Sequence, residues 1–143
     1  MKGIKSMQVK EVMTSDLITV SENTLMHEVD VLFRDNNFHH LPVVKDKTRE
    51  LKGIISMVDV ALLKDWGTRL NLEASLKTNE KLFSSLLAGD VMKKQPVCVS
   101  PETSIDQCVE LFEDNAYHAL PVIEDNALVG LITTYDLIRL AYR

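Results

Sequence analysis

The feature that most constrains this chain is an internal repeat. The stretch from Val12-Met13 to Val43-Val44 aligns without a gap with Val91-Met92 to Val122-Ile123. Paired positions include Ile18 with Val97, Val20 with Val99, Ser21 with Ser100, Thr24 with Thr103 and Leu32-Phe33 with Leu111-Phe112. They continue through Asp35-Asn36 with Asp114-Asn115, Phe38-His39 with Tyr117-His118 and Leu41-Pro42-Val43 with Leu120-Pro121-Val122. After a shortened loop, Gly53-Ile54-Ile55-Ser56 pairs with Gly130-Leu131-Ile132-Thr133, and Asp59 with Asp136. A unit of roughly 55 residues buries little surface alone, so two copies are expected to form one core.

Each copy reads in the same order. Leu17 to Val20 is a short strand, and Ser21 to Thr24 supplies helix-capping residues. Pro101 in the second copy suits a first helical turn. Met26, Val29, Leu32 and Phe33 then fall at helical spacing and make one apolar face. Asn36-Asn37 ends that helix, asparagine being tolerant of the left-handed conformation. His39 to Val44 is a strand with Pro42 near its start, where a missing N–H does least harm. A polar turn, Lys45 to Glu50 or Glu124 to Asn126, leads to a second strand over Leu51 to Ile55 and its counterpart. Ser56 opens a helix through Val60-Ala61-Leu62-Leu63. The expected fold class is therefore α/β (α+β), with two pseudo-twofold-related domains, each β-α-β-β-α, packed sheet to sheet. The boundaries are 8–66 for the first domain, 67–86 for a helical connector and 87–143 for the second domain. The apolar residues Trp66, Leu70, Leu72, Leu76, Leu82, Phe83, Leu86 and Leu87 around that connector predict a packed element rather than a loose linker.

Composition narrows the function classes. A formal charge of −5 and a pI near 5.3 disfavour nonspecific binding to nucleic acid or anionic membrane. No apolar run approaches the ~18 residues of a membrane helix, and the first residues lack a signal core, so a cytoplasmic protein is expected. Cys98 and Cys108 have no CxxC spacing and stand where apolar residues are expected, which predicts two buried thiols. His39 and His40 are adjacent in a strand and point to opposite faces, and no Cys/His spacing supports a metal site. Ser56, Thr133 and the cysteines have no paired His/Asp arrangement that would make a nucleophile, so an enzyme is not expected.

The residues resemble cystathionine-β-synthase (CBS) domains, and the pair resembles a Bateman module. The resemblance is carried by Val-Met-Thr at 12–14 and Val-Met-Lys at 91–93, by His-x-Leu-Pro-Val in each copy, and by Gly-x-x-Ser/Thr-x-x-Asp at 53–59 and 130–136. It implies a stand-alone regulatory module, commonly a dimer, that binds AMP, ADP, ATP or S-adenosylmethionine as a regulatory ligand in clefts between the repeats. No cofactor is required, and an effector protein is a possible partner. The family's ribose-binding aspartate corresponds to Asp59 and Asp136. Carried over, one cleft uses Asp59 and Ser56 with Ile18, Thr19, His40 and Pro42. The other uses Asp136 and Thr133 with Val97, Cys98, Ala119 and Pro121.

Chemistry is compatible with both a functional and a structural role for these residues. A carboxylate offers paired acceptors to neighbouring ribose hydroxyls, and a helix start favours a phosphate. The same Ser/Thr-x-x-Asp is also a capping box. The copies differ in polarity, His40 facing Ala119 and Thr14 facing Lys93 in the alignment, so the two clefts are not expected to be equivalent. Lys93-Lys94 and the helical Arg139 and Arg143 are either solvated or within reach of a phosphate. The alternative function is a ligand-independent dimerisation module with vestigial clefts.

Overall fold

The computed structural model describes residues 3–68, 80–115 and 117–142. The chain forms two compact units that do not follow sequence order. One is Ile18–Gln95; the other combines Met1–Leu17 with Pro96–Arg143. Each repeat therefore has its core completed by sequence that lies outside its own stretch of the alignment.

In the first-repeat unit, α1 (Met26–Asp35) buries Met26, Val29 and Phe33, as the spacing predicts. Its N-terminus differs from expectation. The cap is Leu25, without a side-chain bond. The Ser21 amide donates instead to Thr24 Oγ1 at 3.1 Å, which closes a turn ahead of the helix. The helix start is tied down by chain: Met26 N–H donates to the Leu86 carbonyl at 2.8 Å, and Ala88 N–H donates to that of Thr24 at 2.7 Å. The C-terminus also differs, because Asn36 is extended (φ −132°) rather than left-handed. Its side-chain amide donates to the Leu32 carbonyl at 2.9 Å, which satisfies a terminal acceptor by another route.

Strands β1 (His40–Val44) and β2 (Leu51–Ser56) form an antiparallel hairpin with His40 opposite Ser56 and Val43 opposite Gly53. β2 also pairs with β3 (Lys93–Lys94), Gly53 opposite Lys94 and Ile54 opposite Lys93. Helix α2 (Met57–Thr68) follows β2 directly. The strand expected at Leu17–Val20 contracts to one parallel bridge, Val20 to Val43. Val20 N–H donates to the Pro42 carbonyl at 3.1 Å and Val44 N–H to that of Val20 at 2.8 Å. The next ladder bond would need an amide on Pro42 for the Ile18 carbonyl, and proline has none. The proline that resembles a harmless strand residue thus ends the outer ladder.

The core of this unit joins Val20, Met26, Val29, Leu41, Ile55 and Val60 to Phe83 and Ala88. Residues 80–85 are helical. Phe83 is only 5% exposed. The connector's second half is therefore core, while Leu70, Leu72, Leu76 and the side chain of Trp66 lie outside the described residues. Short helix α3 (Ala88–Val91) leads into β3.

The second-repeat unit repeats the plan with α4 (Ile105–Asn115), β4 (Ala119–Glu124), β5 (Ala127–Thr133) and α5 (Thr134–Ala141). Val99 bridges Val122 in parallel, and Pro121 stands where Pro42 stands in the first unit. Thr14 bridges Leu131, the counterpart of Lys93 opposite Ile54. Val9, fully buried, belongs to this core with Ile105, Cys108, Leu120 and Ile132. Here too Ser100 N–H donates to Thr103 Oγ1, at 3.0 Å, in a turn ahead of the helix. The cap is Ser104, which the repeat did not mark: Gln107 N–H donates to Ser104 Oγ at 3.2 Å, and Ser104 N–H to Gln107 Oε1 at 3.1 Å. Pro101 is not in the helix; it is buried in the preceding turn. Asp125 (φ 51°) and Asn126 (φ 64°) form the two-residue β4–β5 turn in left-handed conformations that these residue types tolerate.

Candidate functional site

The duplicated Ser/Thr-x-x-Asp lies where the last strand of each hairpin passes into a helix. In the first repeat Ser56 N–H donates to Asp59 Oδ2 at 2.9 Å, and Asp59 N–H to Ser56 Oγ at 3.1 Å. The box fixes the carboxylate by one oxygen. Oδ1 of Asp59 has no protein partner among the described residues, so an acceptor is held in a defined orientation. The helix terminus is less open than expected. Met57 N–H donates to the His39 carbonyl at 2.8 Å, and Asp59 N–H is committed to Ser56. A phosphate at this terminus would find few donors still available.

The strand register brings His40 beside Ser56. On the other side of β1, the parallel direction of the Val20 bridge sets Ile18 toward the same end of the strand. Two inter-strand spacings, ~10 Å, separate the Ile18 segment from β2. The Ile18 carbonyl has no donor from Pro42, and no other backbone N–H donates to it among the described residues. Pro42 itself is fully buried and can act only through its backbone. Ile18 is 42% exposed. Ile18 and Thr19 line a cavity of about 380 Å³ with Ser21, Glu28, Val44 and Asp46, whereas Ser56, Asp59, His40 and Pro42 do not. Glu28 and Asp46 escaped the sequence reading because they come from α1 and a turn with no motif of their own.

In the second repeat the box is the same: Thr133 N–H donates to Asp136 Oδ2 at 2.9 Å, and Asp136 N–H to Thr133 Oγ1 at 3.2 Å. Asp136 is 6% exposed. Its Oδ1 accepts a 2.7 Å charge-assisted bond from Arg139 Nη2, and that guanidinium lies 5.0 Å from the Tyr135 ring centroid. The i,i+3 spacing of Asp136 and Arg139 was a visible signal for this pair. Ala119 pairs with Thr133 across the hairpin and is half-buried, while Pro121 is buried. Val97 is 37% exposed. Cys98, expected to be buried, is exposed, its Sγ donating to the Pro96 carbonyl at 3.2 Å. It lies ahead of the Val99 bridge, where the parallel ladder to β4 ends because Pro121 has no N–H. Cys108 is buried, and that burial pushes its thiol pKa up to about 11.

Among the described residues no group of three His, Cys, Asp or Glu is placed to hold a metal ion. No helix among them is long and apolar enough to cross a membrane.

The sequence profile of the CBS domain matches residues 9–63 and 88–143. CBS domain-containing protein YhcV of Bacillus subtilis is 27% identical over 129 residues, 90% of this chain and 81% of that protein. A homoserine O-acetyltransferase of Methanosalsum zhilinae is 25% identical over 135 residues, 94% of this chain and 24% of the enzyme. This chain thus spans about a quarter of that relative's length. Among solved structures, the CBS domain of a membrane protein from Sphaerobacter thermophilus superposes with a TM-score of 0.80 at 23% identity, covering 96% of this chain and 89% of that one. CBSX2 of Arabidopsis thaliana, solved in complex with AMP, gives 0.77 at 24% identity, with 94% and 96% covered. The CBS pair of protein MJ0100, in complex with 5′-methylthioadenosine and S-adenosyl-L-methionine, gives 0.74 at 21%, with 95% and 96% covered.

Proposed function

This chain belongs to the CBS domain family, and we propose that it is a regulatory module that binds an adenosine-containing molecule such as AMP, ADP, ATP or S-adenosylmethionine. The observation that carries the reading is Asp59: one carboxylate oxygen is fixed by the capping box, and the other has no partner among the described residues. A fixed carboxylate suits the two adjacent hydroxyls of a ribose. The base would be read by the backbone of the Ile18-Thr19 and Val97-Cys98 segments, whose outer ladders end at prolines. The adenosine ligands of CBSX2 and MJ0100 support the ligand class. Ligand binding would act by favouring one arrangement of the chain over another. The role is regulatory rather than catalytic, and the effector would be a separate protein or an attached domain.

Calorimetry with AMP, ADP, ATP and S-adenosylmethionine tests this. A ligand held at 100-fold its Kd raises apparent stability by ~2.7 kcal/mol, and Asp59→Ala should abolish the first-repeat contribution with the fold intact. Failure of all four to bind would overturn the reading. A second reading, association without ligand, is favoured by the exposed Val58 and Leu62 on α2, by Tyr135 and Ile138 on α5, and by Tyr142 just after it. A homodimer is compatible with either.

A further inference from the structure

The two acidic acceptors are built alike and left in different states. Asp59 and Asp136 each give Oδ2 to the amide that opens the capping box, at 2.9 Å in both. Oδ1 takes no part in the box and keeps both of its acceptor positions there for a ribose hydroxyl. In the first repeat the residue three positions further along the helix is Leu62, which has no donor and is 63% exposed. In the second repeat the equivalent position is Arg139, and its Nη2 sits 2.7 Å from Asp136 Oδ1. The Arg139 side chain is 54% exposed, whereas that of Asp136 is 5% exposed. The guanidinium therefore covers the carboxylate from the solvent side, and Tyr135 lies against it.

We infer that Arg139 occludes the ribose acceptor of the second repeat, so that this repeat binds an adenosine ligand only by displacing it and with lower affinity than the first. The inference rests on the adenosine reading above and adds to it a residue that ranks the two repeats. The competition is specific to Oδ1. Oδ1 keeps a second lone pair, so the competition lies in the guanidinium standing against the exposed approach to that oxygen and in its charge, since charged donors make the stronger bonds. Loss of Arg139 would thus raise affinity, whereas an ion pair that merely supported the helix would lower it or leave it unchanged when removed. Position 62 provides the converse, since an arginine there would lie three residues after Asp59, as Arg139 lies after Asp136.

The experiment is equilibrium dialysis of labelled adenosine against the full chain at low ionic strength. Adenosine is chosen because it carries no phosphate for Arg139 to attract. In an Asp59→Ala background, where only the second repeat reports, Arg139→Leu should tighten adenosine binding about 5- to 10-fold, with Arg139→Lys in between. The gain should shrink in high salt, which weakens the competing pair. In an Asp136→Ala background, Leu62→Arg should weaken binding by a similar factor. Binding by the Asp136→Ala chain with no gain on Arg139→Leu, in chains whose circular dichroism shows them folded, overturns this inference alone. Weaker AMP binding with unchanged adenosine binding on Arg139→Leu also overturns it, and would make Arg139 a phosphate ligand. Absence of adenosine and AMP binding in every chain, the unmodified one included, overturns the adenosine reading and this inference with it.

Discussion

At the scale of single residues, the two cysteines show how burial rather than composition decides chemistry. Both occupy positions that call for an apolar side chain, yet Cys98 is exposed and Cys108 is buried. The Cys108 thiol keeps its proton to about pH 11, against an ordinary value of 9.0. Above pH 9 the unfolded chain releases that proton while the folded chain retains it, so the unfolded state binds fewer protons and stability falls as pH rises. The loss should be complete above about pH 11 and amount to roughly 2–3 kcal/mol. Urea titrations of the unmodified chain and of Cys108→Ala between pH 8 and 11.5 check this. The variant should start lower, by a cavity cost of about 1 kcal/mol or more, and lose less over the window. Parallel curves would refute the assignment. Asp59 and Asp136 were legible as candidates because a duplicated motif marks them, whereas His40 stands at the variable position of His-x-Leu-Pro-Val and aligns with Ala119. The occupancy of each aspartate's second oxygen was not legible, since it depends on where the side chain of Arg139 goes.

At the scale of elements, the helices and the hairpins were readable because their periods survive in both copies. Strand ends were less readable, because a strand needs a partner on each side that only the fold supplies. The outer segments before Val20 and Val99 are the clearest case: apolar and β-branched, they have strand composition, but Pro42 and Pro121 deny them ladder partners. The glycines of Gly-x-x-Ser/Thr-x-x-Asp are explained at this scale too. A Cβ on Gly53 would lie 2.6 Å from Met92 Sδ and 2.7 Å from the Lys93 carbonyl. On Gly130 it would lie 2.5 Å from Met13 Sδ but 3.2 Å from the Thr14 carbonyl. A methionine side chain can move aside, whereas a paired strand carbonyl cannot without shifting the ladder. Gly53→Ala should therefore cost about 2–3 kcal/mol, and Gly130→Ala about 1 kcal/mol. Thermal unfolding of the two variants gives the order, and a larger loss for Gly130→Ala would contradict the packing argument.

At the scale of the whole molecule, the sequence repeat and the spatial unit differ. The opening motif of the first copy, Val12-Met13-Thr14, is built onto β5 of the second-repeat unit through the Thr14–Leu131 bridge. The motif of the second copy, Val91-Met92-Lys93, is built onto β2 of the first-repeat unit. Val9 is fully buried in the second-repeat core, and its N–H donates to the Thr103 carbonyl at 2.8 Å. Deleting residues 1–14 should therefore loosen the second-repeat unit, at the far end of the sequence. Hydrogen exchange should show faster amides across β4, β5 and α4, with β1 and β2 changed much less. Loss of protection centred instead on α1 and β1, the elements nearest in sequence, would disprove this arrangement.

The sequence by itself determined the duplication, the order of helices and hairpins, the family and the pair of candidate acceptors. Each of these is local or repeated, and local spacing and side-chain chemistry carry such information. Only the tertiary structure decided which segment completes which core, because that choice depends on contacts between residues far apart in the chain. It also decided that Pro42 and Pro121 end the outer ladders, and that Arg139 closes on Asp136 while Asp59 Oδ1 has no partner among the described residues. Those outcomes follow from geometry around a single atom, which residue identity alone does not specify.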